Sequence, residues 1–131
     1  MSQPYSGYVQ CARREIHYTE WGSEHSRTVV AWHGLARTGR DMDELAQHLS
    51  ALGYRVICPD MLGRGLSQWS PQPEQEYQLS FYAEIAAALF EQLGVEQAHW
   101  VGTSMGRAIG TVCASGLIQP RMQARILSLT L

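Results

Sequence analysis

Apolar residues along this chain recur in two rhythms. TVVAW (28–32) is a short unbroken run, β-branched at its centre and followed by His33-Gly34, which suits a strand buried on both faces that then enters a loop. DMDELAQHLSAL (41–52) instead sets Met42, Leu45, Ala46, Leu49 and Leu52 on one helical stripe, with acids in the first turn and Gly53 as a stop. YRVICP (54–59) and AHWVG (98–102) repeat the buried-strand pattern, and ILSLTL (126–131) reads as another strand. Residues 8–11 and 14–20 alternate weakly and predict a leading pair of strands closed by Gly22. Residues 67–79 are rich in Pro and Gln and read as a surface loop. Ser80 is placed to cap a helix running to Leu93, with Gly94 behind it. From Met105 to about Gly116 the chain is apolar nearly all round, as in a helix buried against a sheet.

Strands that alternate with helices need crossover connections. The expected fold class is therefore α/β, with a mostly parallel sheet and helices on both faces. Such a sheet offers ligands to the carboxyl ends of its strands, here the loops after residues 32, 59 and 102. No repeat or second domain interrupts the pattern, and 131 residues is the size of one domain.

Composition narrows the function. A net charge of −2 with scattered basic residues gives no electrostatic case for nucleic acid or an anionic membrane. No apolar run is long enough to span a bilayer, and the first residues lack the basic segment and apolar core of a secretory signal. Cys11, Cys58 and Cys113 are odd in number and widely spaced, which predicts reduced, mostly buried thiols and a cytoplasmic location. Neither a metal-ligand motif nor a phosphate loop is present, so no cofactor is expected.

The motif that carries chemistry is Gly102-Thr103-Ser104-Met105-Gly106, a GxSxG pentapeptide between a predicted strand and a predicted helix. A serine on a tight strand-to-helix turn exposes its hydroxyl, and bulky groups two residues to either side would collide. The helix that follows points its free amides toward developing negative charge. His33-Gly34-Leu35 follows the strand where an oxyanion donor is needed. The backbone amides of Leu35 and Met105 are the expected pair.

Three ordered segments, TVVAWHGLARTGRDM, YRVICPDMLGRGLS and HWVGTSMG, resemble the N-terminal half of an α/β-hydrolase, the family of serine esterases, lactonases and carbon–carbon bond hydrolases. The resemblance covers essentially the whole chain. It implies a partial hydrolase domain over residues 1–131, cut after about the sixth strand, with Ser104 as nucleophile and a small ester-like molecule as substrate. It also implies supporting roles for His33, Gly34, Gly102 and Gly106. Asp60, Gly63, Gly65 and Ser67 match the family's D-x-x-G-x-G-x-S loop, read here as mainly architectural.

The sequence departs from that pattern at two points. Position 107 is Arg where many members carry a second Gly. No His, Asp or Glu follows Ser104, although the family draws its acid and then its His from later in the chain. Of the histidines present, only His33 is expected near Ser104. His17 falls in an early strand, His25 in a turn, His48 on the polar side of the first helix and His99 at the far end of its strand, and most of them read as surface or turn residues. The expectation is a hydrolase scaffold inactive as this chain alone. The alternatives are a non-catalytic binding protein on half a scaffold or a truncated product, and the exposed last strand is the expected surface for self-association.

Overall fold

The computed structural model describes residues 3–130. Strand β1 (Tyr5–Cys11) turns back through Ala12-Arg13 into β2 (Arg14–Trp21), and β3 (Arg27–Trp32) follows. A 3-10 turn (Gly39–Met42) leads into α1 (Asp43–Ala51) and then β4 (Tyr54–Pro59). After a loop containing the single-turn helix α2 (Pro73–Glu76) come α3 (Leu79–Gln92), β5 (Ala98–Gly102) and α4 (Met105–Ser115). A 3-10 segment (Pro120–Arg125) precedes β6 (Ile126–Thr130).

The six strands form one sheet in the order β1-β2-β4-β3-β5-β6. The pairs β1/β2 and β2/β4 are antiparallel, while β4/β3, β3/β5 and β5/β6 are parallel. The chain steps one way from β3 to β4 and back the other way from β4 to β5. Right-handed crossovers therefore put their helices on opposite faces. Accordingly α1 covers Trp21, Val29, Ala31, Val56 and Cys58 on one side. On the other, α3 and α4 bury the larger cluster around Val30, Trp32, Ile57, Phe90 and Trp100. Trp100 stacks on Trp32 with centroids 5.3 Å apart, and its Nε1 donates to Gly106 O at 3.0 Å, tying α4 to the sheet. The reversal also makes the gap between the carboxyl ends of β3 and β5 a topological switch point, where α/β sheets bind ligands.

The structure corrects four local expectations. The 67–79 segment is not all loop: α2 forms within it, and Glu76 is buried because Arg14 grips both its oxygens, Nε to Oε1 at 2.7 Å. Helix α3 begins at Leu79 behind Gln78, so Ser80 lies inside it and caps nothing. Helix α4 is buried along one stripe only (Gly106, Ile109, Gly110 and Cys113), and Arg107 and Thr111 face solvent. The β1 strand starts at Tyr5 rather than residue 8, because its pairing with β2 runs the full length of the hairpin. No described helix is long and apolar enough to cross a membrane.

Candidate functional site: the turn between β5 and α4

Ser104 sits between β5 and α4 with φ 51° and ψ −114°, a backbone state that side chains avoid and that costs about 1–3 kcal/mol. Close packing holds it there. A Cβ on Gly106 would drive into the backbone carbonyl of Trp32 and lie 2.9 Å from His33 O, so only glycine lets α4 approach β3 this closely. A Cβ on Gly102 would meet Gly106 C at 2.5 Å and Arg107 N at 2.6 Å. The amide of Thr103 donates to Trp32 O at 3.1 Å, which pins the turn to the neighbouring strand. Arg107 leaves this packing undisturbed because its side chain is exposed. The Ser104 side chain makes no capping bond to α4 and faces solvent.

The loop after β3 lies against this turn. The point where a Cβ on Gly34 would stand is 3.4 Å from Ser104 Cβ and 3.7 Å from Thr103 O. His33, Gly34, Gly102, Ser104, Met105 and Gly106 thus converge at the switch point, as their spacing predicts. Leu35 continues the loop at the surface, its carbonyl held by Arg64 Nε at 2.7 Å. Met105 is the first residue of α4, so its amide has no partner within the helix.

His33 is not a base for Ser104. It is fully buried, its Nδ1 donates to Gly34 O at 2.6 Å, and its Nε2 accepts from the Met61 amide at 2.8 Å. Both ring nitrogens are thus committed to loop backbone. Burial pushes its pKa below the ordinary 6.5 despite the Gly34 carbonyl and Asp60, which act the other way. The unfolded chain therefore takes up a proton that the folded chain refuses, and stability falls as pH drops below about 6.5. We expect the His33 ring to read as neutral by NMR at pH 6.5, where a free imidazole is half protonated. A ring that titrates there like a free one would refute the assignment.

The other histidines lie elsewhere. His99 Nδ1 pairs with Ser128 Oγ at 2.6 Å, His25 lies 3.6 Å from Glu24, and His48 stands in the last turn of α1. His17 is the one whose environment the sequence misrepresents. It is buried rather than superficial, and its Nδ1 meets Asp60 Oδ2 at 2.8 Å. Asp60 is an organising residue, as its place in the loop motif suggests. Its Oδ1 accepts from the Gly39 amide (2.7 Å) and its Oδ2 from the Leu66 amide (3.0 Å).

A cleft of about 560 Å³ opens at the amino ends of β3, β4 and β5, bordered by His25, Arg27, Arg55 and His99. It is at the opposite end of the strands from Ser104, so it is no part of this turn's surroundings. All three cysteines are free and buried, and burial pushes each thiol up to about 12, which leaves them unreactive.

A mostly parallel sheet with helices on both faces, and a GxSxG turn at its switch point, define an α/β hydrolase scaffold. The chain belongs to the alpha/beta hydrolase fold family, whose model matches residues 27–131. It is 41% identical over 114 residues to a 3-hydroxybutyrate-oligomer hydrolase of Cupriavidus necator, covering 83% of this chain and 38% of that protein. A non-heme chloroperoxidase of Burkholderia pyrrocinia is 34% identical over 92 residues, 70% of this chain and 32% of that one. Among solved structures, a thioesterase domain from the curacin biosynthetic pathway superposes with a TM-score of 0.82 at 26% identity, over 92% of this chain and 44% of that domain. The chain thus spans less than half the length of each of these relatives.

Proposed function

We propose that this chain carries the nucleophile side of a serine hydrolase acting on esters or related acyl substrates. The observation that carries the reading is the conformation of Ser104, held in a costly backbone state by two glycines with its hydroxyl exposed. Strain of this kind persists only where surrounding structure enforces it. In the proposed reaction Ser104 Oγ attacks the acyl carbonyl, and the Leu35 and Met105 amides hold the oxyanion. The similarity to a hydrolase of hydroxybutyrate oligomers, which are chains of esters, supports the substrate class.

No imidazole or carboxylate described here stands ready to take the Ser104 proton. The 131 residues act as one partial hydrolase domain that turns over little by itself, because a serine without its base loses almost all its catalytic power. Three free buried thiols are compatible with a cytoplasmic setting. Strand β6, at the sheet edge with Leu127 53% exposed, is the surface through which copies of the chain would associate.

The test is prolonged exposure of the folded chain to a fluorophosphonate, with the adduct located by peptide mass spectrometry. We expect slow labelling at Ser104 that disappears in Ser104→Ala, together with negligible steady-state hydrolysis of a p-nitrophenyl ester. A folded chain that never carries the Ser104 adduct would overturn the nucleophile assignment. Rapid turnover would overturn the expected inactivity.

A further inference from the structure

A Ser–His–Asp hydrogen-bonded chain does exist in this protein, but not at Ser104. Ser6 on β1 lies 2.6 Å from His17 Nε2, and His17 Nδ1 lies 2.8 Å from Asp60 Oδ2. The direction of the proton chain follows from chemistry. Asp60 receives two backbone N–H groups as well as His17, so both of its oxygens act as acceptors. With His17 as the neutral imidazole, Nδ1 carries the hydrogen toward Asp60, which leaves Nε2 with its lone pair toward Ser6 Oγ–H. That tautomer and order are those of an activated serine.

Burial and access are divided as such a site requires. His17 is only 4% exposed and Asp60 is buried, so the base is held in one orientation. Ser6 faces solvent. The hairpin register adds a donor. Ala12 and Arg13 both have positive φ, so they form a two-residue turn that makes Cys11 and Arg14 a hydrogen-bonded pair. Pairs alternate from there, making Tyr8↔His17 and Ser6↔Thr19 non-bonded. The amides of Ser6 and Tyr8 therefore point off the free edge of β1, next to the hydroxyl. Tyr8 is 54% exposed, and its ring centroid lies 5.0 Å from that of His17, giving an aromatic surface beside Ser6.

We propose that Ser6, His17 and Asp60 form a second nucleophilic site, independent of Ser104, that takes acyl groups from activated aryl esters. Ser6 Oγ bonds to the acyl carbon while its proton passes to His17 Nε2. The bond from that carbon to the aryl oxygen breaks, and the phenol leaves with the proton from His17. Water later attacks the acyl-Ser6 carbonyl, giving a proton to His17 that returns to Ser6 Oγ as the acid departs. Asp60 keeps the imidazole oriented throughout. An aryloxide is a good leaving group, so the step does not depend on a fully enclosed oxyanion hole, and the exposed Tyr8 ring suits an aromatic ester.

The experiment uses the Ser104→Ala chain, which removes the other serine from consideration, and p-nitrophenyl acetate as the probe. We expect an acetyl group on Ser6 by peptide mass spectrometry, abolished by Ser6→Ala. The second variant is His17→Asn, whose amide retains the donor to Asp60 but does not reach Ser6. It should slow acylation by about 100-fold or more, the usual contribution of a general base, in a chain that circular dichroism shows to be folded. Absence of a Ser6 adduct in the folded Ser104→Ala chain overturns the proposal, as does an acylation rate unchanged in His17→Asn. Should His17→Asn fail to fold, the Ser6 adduct and its loss in Ser6→Ala decide the matter. Failure here leaves the Ser104 reading untouched, since the two adducts fall on different peptides.

Discussion

Replacing Asp60 by Ala is expected to lower the stability of the fold by about 3–5 kcal/mol, the scale of removing one partner from a buried charged network. Its carboxylate collects the Gly39 amide from the loop after β3, the Leu66 amide from the loop after β4, and His17 from β2. The buried Gly39 amide and His17 Nδ1 are left without a partner when it is removed, and each costs the desolvation of the group left behind. Asp60→Asn is the sharper variant. An amide has one acceptor oxygen where the carboxylate has two, so at least one donor must face an N–H whichever way it turns. We expect about 2–3 kcal/mol for this change. With a total stability of about 5–15 kcal/mol for a typical domain, either change is a large fraction. Urea denaturation monitored by circular dichroism measures both. Losses under about 1 kcal/mol would mean the Asp60 network does not hold these loops together.

Gly106→Ala should be the next most damaging change. Alanine in the first turn of α4 gains about 1 kcal/mol in helix propensity, which by itself predicts stabilisation. The new methyl, however, runs into the carbonyl of Trp32, with Trp32 C at 2.7 Å and His33 O at 2.9 Å. These are backbone atoms of a central strand and cannot rotate away, so α4 must lift off the sheet. Overpacking of this kind costs about 3 kcal/mol, which outweighs the propensity gain. Gly110→Ala is the internal comparison. Its methyl would meet the indole of Trp100, which is buried and stacked on Trp32 and Phe90, and the end of Leu129, so it too should destabilise. Thermal melts of the two variants test this, and Gly106→Ala melting at or above the parent temperature would refute it. Because the same contact fixes the Ser104 turn, Gly106→Ala should also abolish Ser104 labelling by a fluorophosphonate.

The alternation of buried runs and amphipathic stripes was sufficient for the architecture. Continuous β-branched segments such as TVVAW and YRVICP signal strands covered on both faces, and local periodicity of that kind needs no knowledge of what packs on it. The GxSxG and His-Gly-Leu segments were legible for the same reason. Their glycines are demanded by backbone geometry within a few residues, or by one contact between adjacent strands. Where a residue's fate depends on a distant partner, the sequence misled. Glu76 looks like a surface acid and is buried because Arg14, on the first hairpin, reaches it. The apolar stretch from Met105 suggests a helix buried on every side, yet the sheet, α3 and the 3-10 segment Pro120–Arg125 cover only one stripe of it.

The chain by itself determined the parallel α/β frame and the place of Ser104 at its switch point, since both are written in order and spacing. Only the tertiary structure decided which histidine meets which carboxylate. His33, beside Ser104 in space, has both nitrogens bound to backbone, whereas His17, 43 positions from Asp60, is hydrogen-bonded to it and to Ser6. Hydrogen bonds act over about 3 Å and are blind to sequence separation. The folding of β2 across β4 is what brings these groups together.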